Sequence, residues 1–390
     1  MIKDYKISSL VHRPVRVWLF IGVFMVFMQV VIGGITRLTD SGLSITEWKV
    51  IQGTLPPMNV AEWQEAFDEY KVMAKKQFET LHADMTLSEF KVIFFWEYFH
   101  RLWARTMGFV FIFPFLFFLW KRGSYQRLLK RLGISANAPP KDEKHLQWMP
   151  NWTMKWLGIV ILLAMLAATF GWIMVASGLN DNTRTWVSAY KLSIHLSIAT
   201  ALFACLVWTW IRASQTEGKD FKQLKLKKWA HTITGILFLQ IILGGLMAGM
   251  RAGLIHPHFP FFVHGDRLLN TLMETQQANV EGMINYEASV FVKGLVQILH
   301  RGTAYLLSGL IIWFYVKARK TNISKRLQFA NNLLLGMLVI QFLLGIMTVI
   351  NSLRRIPLVY GALHQCGALI LLAVLLFVNF QFWKQEEKLN

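Results

Sequence analysis

Charge is what this 390-residue sequence has least of. Only 16% of its residues are Asp, Glu, Lys or Arg, where soluble globular domains carry about 25%. With 54% hydrophobic residues, 29 Phe and 16 Trp, the chain is excluded from the soluble and the disordered classes and belongs among integral membrane proteins. Cysteine is almost missing as well. Cys205 and Cys366 both fall inside apolar runs and no CxxC occurs, which excludes a thiolate metal centre and a disulfide between loops. Acidic residues are nearly absent from the apolar runs: Glu97 is the exception. Ionisable groups at membrane depth are costly and rare, so "FFWEYFHRLWAR", residues 94–105, with its glutamate, histidine and two arginines, calls for a chemical reason.

What is present are eight charge-poor runs, at about 17–36, 92–120, 156–176, 187–211, 229–250, 291–316, 333–351 and 357–383. Each approaches the ~20 residues a spanning helix needs. The net charge of +19 could point to nucleic acid, but its location argues otherwise. With the N-terminus placed in the cytoplasm, the inward segments hold 25 Lys and Arg against 7 Asp and Glu, and the outward segments are close to balance. That is the positive-inside pattern, and it excludes nucleic acid as the partner. The first run has no small-residue cleavage site and reads as a retained anchor. The expected location is the bacterial cell inner membrane, multi-pass, with both termini cytoplasmic.

The runs fall into two sets of four. Runs one and five align without gaps at an offset of 211: Gln29 matches Gln240, Gly33-Gly34 matches Gly244-Gly245, and Gly42-Leu43 matches Gly253-Leu254. Runs two and six share Phe99-His100-Arg101 and Leu299-His300-Arg301. Runs three and seven share Gly171…Met174…Leu179 and Gly345…Met347…Leu353. Runs four and eight carry His195 and His364. Small residues recur in membrane helices for packing alone, yet packing does not require a gapless Gln, Gly-Gly, Gly-Leu match. The expected fold is an all-α integral membrane protein of eight transmembrane helices, built as two pseudo-twofold related four-helix bundles. The halves are 1–211 and 229–390, joined by a basic cytoplasmic linker, 212–228. An even number of spans per half makes the repeat parallel. The first and third outward loops are long. In the first, Asn59 with Glu62 is a helix-start signal, and Trp63, Phe67 and Tyr70 follow at helical spacing, which predicts an amphipathic helix over the outer face. Thr86 with Glu89 predicts a second capped start. In the third loop, 252–290, His256, His258 and His264 form only a weak metal signature, and the role of the loop stays open.

Of the 11 histidines, His100, His195, His300 and His364 lie inside spans. All four sit on even-numbered runs, roughly 7–9 residues past the start, hence at one shared depth of about 10–14 Å at 1.5 Å per residue. In an up-down bundle the second and fourth helices are diagonal. His100 then faces His195, and His300 faces His364. A single intramembrane histidine is usually a packing residue. Four at matched depth on matched helices suit axial ligation of haem iron. Zinc or copper would want a thiolate or carboxylate to complete a compact site, and a proton relay would want carboxylates in several spans.

The halves differ at one position. Glu97 stands three residues before His100, and Gln297 stands three before His300. Electron transfer needs no carboxylate, but proton abstraction does, so Glu97 is the catalytic candidate. An ion pair with Arg101, extended by Arg105, is the structural alternative, and both roles can coexist. Arg101 and Arg301, directly after their histidines, suit haem propionates, as does Arg105. A snorkelling arginine is the plain reading of each.

These residues together resemble the haem A synthase family, in its long-loop alphaproteobacterial and mitochondrial class. The resemblance rests on "GGITRLTDSGLSITEWKVIQGTLPP", "FFWEYFHRLWARTMGF", "AGMRAGLI", "LHRGTAY" and "YGALHQCGAL" and covers nearly the whole chain. It implies an oxidoreductase that converts the C8 methyl of haem O to the formyl of haem A for terminal oxidases. It implies substrate haem O between His100 and His195, haem b on His300 and His364, and Glu97 as acid/base. The implied partners are haem O and, through supply and delivery, haem O synthase and oxidase assembly factors. The electron acceptor and a homo-oligomeric state are left open. Some family members carry a cysteine pair in the first outward loop, and this chain has none there. A dihaem b-type electron-transfer cytochrome is the competing reading.

Overall fold

The computed structural model describes residues 11–46, 55–131, 148–179, 185–215, 218–260 and 289–384, and all its longer elements are helical. They are α1 (Arg13–Leu38), α2 (Val60–Met73), α3 (Lys75–Leu81), α4 (Leu87–Arg131), α5 (Asn151–Leu179), α6 (Ala189–Ser214), α7 (Leu224–Met250), α8 (Val290–Arg319), α9 (Lys325–Ile350) and α10 (Leu358–Phe380). All except α2 and α3 are long and apolar enough to cross a membrane, eight spans in all. The chain is a multi-pass, all-α membrane protein.

The spans are not equivalent. The apolar stretch of α1 is 44% buried within the protein, and those of α6, α7 and α10 are 39% buried. For α4 and α5 the share is 6%, so these helices turn most of their surface to lipid. The four buried spans form the centre, with α6 against α7, α1 against α10, and α6 and α7 against α10. The peripheral spans attach in pairs. α4 packs on α1 and α5 on α6; α8 packs on α7 and α9 on α10. One difference breaks this regularity: α8 and α9 pack on each other, whereas α4 and α5 share at most marginal contact.

Local chemistry explains the joins. Pro114 inside α4 has no N–H to give the Val110 carbonyl; the Trp18 indole N–H takes that acceptor at 3.1 Å, tying α4 to α1. Trp103 does the same in the other direction, donating to the Met25 carbonyl at 2.9 Å. Gly34 lies against Gln365, whose carboxamide donates to the Val30 carbonyl at 2.9 Å. Its counterpart Gly245 lies against Ser193, whose hydroxyl donates to the Ile242 carbonyl at 2.9 Å. The α1–α10 and α6–α7 seams are therefore closed by the same small-residue device. Asp40 and Arg251, positions related by the 211-residue offset, both adopt left-handed backbone, with φ of 55° and 52°. Their side chains form an ion pair with each other.

The expected outer helix is α2. Asn59 Oδ1 accepts the Glu62 N–H at 2.9 Å. Phe67 stacks on Phe90 at 4.9 Å between ring centres, and Trp63 meets Phe94 at 5.0 Å. The reciprocal Thr86–Glu89 cap also forms. α3 was not expected; it brings His82 to 2.6 Å from the Tyr70 hydroxyl and Gln77 to the Asp40 carbonyl. Burial pushes the Tyr70 phenol above its ordinary range, and Asp40 and Glu97 add to this. Two spans are longer than the apolar runs. α4 continues to Arg131 because its polar extension keeps good helix formers. α9 starts at Lys325 because the Ser324 hydroxyl caps Leu327 N–H at 3.2 Å. Asp220, from the basic linker, holds Ser324 in place with two hydrogen bonds.

Candidate functional site

Each of the four intramembrane histidines rests on a glycine of the preceding span. A Cβ built on Gly33 would stand 2.9 Å from Cε1 of His100. The same test gives 3.1 Å for Gly171 and His195, 3.4 Å for Gly244 and His300, and 3.0 Å for Gly345 and His364. Real Cβ contacts are seldom that short, so the glycines are the condition for the rings to lie where they do. This explains what the recurring glycines of the odd-numbered runs are for. The first of each Gly-Gly pair makes room for a histidine, and the second makes room for the neighbouring half.

The rings are also held from the side. Gln29 donates its amide to the His100 carbonyl at 3.3 Å, Gln240 to that of His300 at 3.0 Å, and Gln341 to that of His364 at 3.0 Å. The same nitrogens lie 3.1–3.4 Å from ring nitrogens of those histidines. The repeat match already contained Gln29 and Gln240. Gln341 was missed, although its signal was in the sequence: a glutamine four residues before the histidine-facing glycine.

His300 and His364 face each other with ring centres 6.4 Å apart and planes at 79°. His100 and His195 stand on α4 and α6, which, like α8 and α10, do not pack closely on each other; the two histidines are near enough to interact electrostatically. No group of three or more His, Cys, Asp or Glu side chains able to hold a metal occurs among the described residues. His300 and His364 come instead as a facing pair. A facing pair suits a metal whose remaining bonds come from a planar macrocycle. A metal–nitrogen bond of about 2 Å on each side, plus roughly 1 Å from nitrogen to ring centre, places two axial rings about 6 Å apart. The 6.4 Å separation of the His300–His364 pair meets that requirement.

Glu97 is 3% exposed and fully engaged. Its Oε2 accepts the Ser44 hydroxyl at 2.8 Å and the Ile45 N–H at 2.9 Å, and its Oε1 accepts Arg101 at 2.6 Å. Arg101 also donates to the Ile45 carbonyl at 3.0 Å. The second half repeats the arrangement with opposite polarity. Gln297 donates to the His256 carbonyl at 2.9 Å, and Arg301 donates to the Pro260 carbonyl at 3.1 Å. His256 is the residue 211 positions after Ile45. Glu97 and Gln297 therefore each clasp the turn that follows the preceding span, one through a backbone N–H and the other through a backbone carbonyl. The i,i+4 ion pair expected for Glu97 is present, and Ser44 and Ile45 are partners that sequence spacing could not reveal. Arg105 lies one turn beyond Arg101, half-buried. His256 is buried and His258 lies beside it; burial lowers the basicity of His256, and Arg301 and His258 lower it further. His264 lies outside the described residues.

A family model described as cytochrome oxidase assembly protein matches residues 16–376. The chain belongs to that family. Within it, the chain is 37% identical to the heme A synthase of Flavobacterium psychrophilum over 96% of this chain and 99% of that protein. It is 35% identical to the heme A synthase of Flavobacterium johnsoniae over 94% and 97%. It is 37% identical to that of Nitrosomonas eutropha over 94% and 93%. A match of this extent spans the site from Gln29 to His364.

Proposed function

We propose that this chain is a haem A synthase, oxidising the C8 methyl group of haem O to a formyl group and so supplying haem A to terminal oxidases. The observation that carries the reading is the repeated frame of four glycine-backed histidines in two diagonal pairs, in a chain whose relatives bear that name over their full length. In this reading His300 and His364 hold haem b, and His100 and His195 flank haem O. When bound, the haem supplies a redox-active iron and a conjugated ring that carries the electron deficit of methyl oxidation. With water as the oxygen source, each oxidation would release its protons in the site and pass its electrons to an external acceptor. The chain orients the ring through its histidines, and Phe95, Phe99 and Trp103 form an aromatic ladder along the helix that carries His100. Glu97 takes protons at a carboxylate oxygen. Arg101 and the turn at Ser44 and Ile45 hold that carboxylate in place. Arg101, Arg105 and Arg301 are the propionate candidates.

The two halves, 1–211 and 229–390, are read as a duplication, supported by the equivalent roles of Gly34 and Gly245 and by the facing pair Asp40 and Arg251. The 25-to-7 charge bias supports cytoplasmic termini in a bacterial inner membrane. Haem O synthase and oxidase assembly factors are the partners this role requires.

The second reading, a dihaem electron-transfer cytochrome, draws on one observation: Glu97 and Gln297 do the same clasping work. Pigment extraction decides between them. In a host that makes haem O, expression of this chain is expected to yield haem A or its hydroxylated precursor. If the folded protein yields haem b and unchanged haem O, the cytochrome reading replaces the synthase.

A further inference from the structure

At the end of the bundle that bears both termini, α1 and α4 leave an apolar furrow open to the membrane. Its floor is the buried pair Trp18 and Phe118, with ring centres 5.5 Å apart. Its walls are Val17 and Ile21 of α1 and Val110 and Pro114 of α4. Val17 and Ile21 are 49% and 41% exposed. The carbonyl that Pro114 leaves without a helical donor is taken by Trp18, so no unsatisfied polar group faces the furrow there. From Arg13 to Ile21 it runs about 12 Å at 1.5 Å per residue, most of one leaflet of a ~30 Å hydrocarbon core. Cations stand at its mouth. Arg13 lines it and is exposed. Lys121 lies over the rings of Phe117, Trp120 and Trp148 at 5.7, 5.1 and 6.0 Å, and Trp148 stacks on Phe118 at 5.8 Å. Neither cation has a carboxylate partner among the described residues. At this end of the bundle the described residues hold one carboxylate, Asp220, and it is taken by Ser324. The furrow also flanks a poorly supported helix. Among the spans, α1 alone makes more than marginal contact with α4.

We propose that this furrow binds one anionic phospholipid of the leaflet on the side of the termini, with an acyl chain between α1 and α4 and its phosphate at Arg13 and Lys121. An apolar furrow alone would take any chain. Two cations without counter-ions select a charged headgroup, and the rings under Lys121 hold that cation at headgroup level. A lipid bound there braces α4, the helix that carries Glu97 and His100, against α1. The site is independent of any haem at the histidines.

The test uses the full-length protein in a neutral detergent, titrated with phosphatidylglycerol or with phosphatidylcholine of the same chains. Native mass spectrometry counts the lipids bound. Wild type is expected to hold one phosphatidylglycerol more tightly than further copies and more tightly than phosphatidylcholine. Arg13→Gln and Lys121→Gln should each weaken that binding about fivefold, and together about 25-fold, at ~1 kcal/mol per cation near a headgroup. Val17→Trp fills the furrow without touching a charge and should also remove the tight site. Lys320→Gln with Lys325→Gln, exposed cations at the same end of the bundle, should leave it intact. Phosphatidylglycerol should raise the melting temperature of wild type and not that of the Arg13→Gln, Lys121→Gln protein. Equal affinity for the two lipids, or an equal loss in the Lys320, Lys325 variant, overturns the site, because the basic end as a whole then attracts the lipid. Tight binding that survives Val17→Trp overturns it as well, leaving an anion site without the furrow. A wild type that takes up no lipid but forms dimers that Val17→Trp dissociates gives the furrow to a second copy instead.

Discussion

The two histidine pairs occupy the same frame and are finished differently. His300 and His364 face each other at 6.4 Å, each beside a glutamine, under a seam where α8 and α9 pack together. His100 has its glutamine, His195 has Ala167, and α4 and α5 leave their seam nearly uncontacted. Below the seams the halves converge again, with the same glycines against the same rings. The comparison separates what a bundle needs in order to present two imidazoles from what it needs in order to keep something between them. Glycine at the ring is common to both sites. A glutamine beside both rings and closure of the outer pair of helices are not.

The largest expected effect comes from removing ligands on either side of this comparison. His300→Ala and His364→Ala should each abolish the resident haem absorption of the purified protein, since among the described residues no third donor joins the facing pair. His100→Ala should leave that absorption in place and remove product. Pigment extraction and a reduced-minus-oxidised spectrum of each variant check both statements. If His100→Ala removes the resident spectrum and His300→Ala spares it, the assignment of the halves is reversed.

Next comes the Glu97 position. Glu97→Gln keeps the size of the side chain but removes the charge that Arg101, Ser44 and Ile45 address. A buried carboxylate with three donors leaves an uncompensated arginine when neutralised, at a cost of roughly 3–5 kcal/mol if nothing relaxes. Some destabilisation is therefore expected alongside loss of product, and the two must be measured separately. The expected result is product below one-tenth of wild type, with haem on the His300–His364 pair retained and the variant still folded. Retained product in a destabilised protein would make Glu97 a clasp for the turn after α1, as Gln297 is for the turn after α7, and nothing more.

Much of this was legible in the sequence, for reasons that can be named. Spans are legible because lipid forbids charge over about 20 residues. The histidines are legible because ionisable groups in spans are rare enough to be compared one by one. Gln29 and Gln240 stood in the alignment of runs one and five, but a carboxamide can pack, cap or bond. Only the distances to His100 and His300 show which. The partners of Glu97 at Ser44 and Ile45 lie some fifty residues away in chain order, and their use depends on how the turn after α1 folds back. The open seam was hidden for a deeper reason: α5 and α9 are both apolar over most of their length, and composition does not say whether a neighbour or a lipid covers an apolar side chain.

The smallest expected effect tests whether the halves are related by symmetry at the point where they touch. Asp40 and Arg251 occupy equivalent positions with the same left-handed backbone, and their side chains pair. Exchanging the charges, Asp40→Arg with Arg251→Asp, should keep both backbone conformations, since each position already tolerates positive φ. It should restore most of the stability that either single change removes, which for a mostly buried pair is about 1–2 kcal/mol. The restoration is expected to be incomplete. Arg37 also donates to Asp40 at 3.3 Å and to the Gly249 carbonyl at 3.1 Å, so a cation at position 40 meets a like charge. Trp186, which lies under the Arg251 guanidinium at 4.5 Å, would also lose its cation. Thermal melting of the four proteins of the cycle gives the coupling energy. A coupling near zero would mean that the contact between equivalent positions is incidental to holding the halves together. A coupling that becomes full only when Arg37 is also changed to Gln would show that the first half has added a third charge to an otherwise symmetric junction.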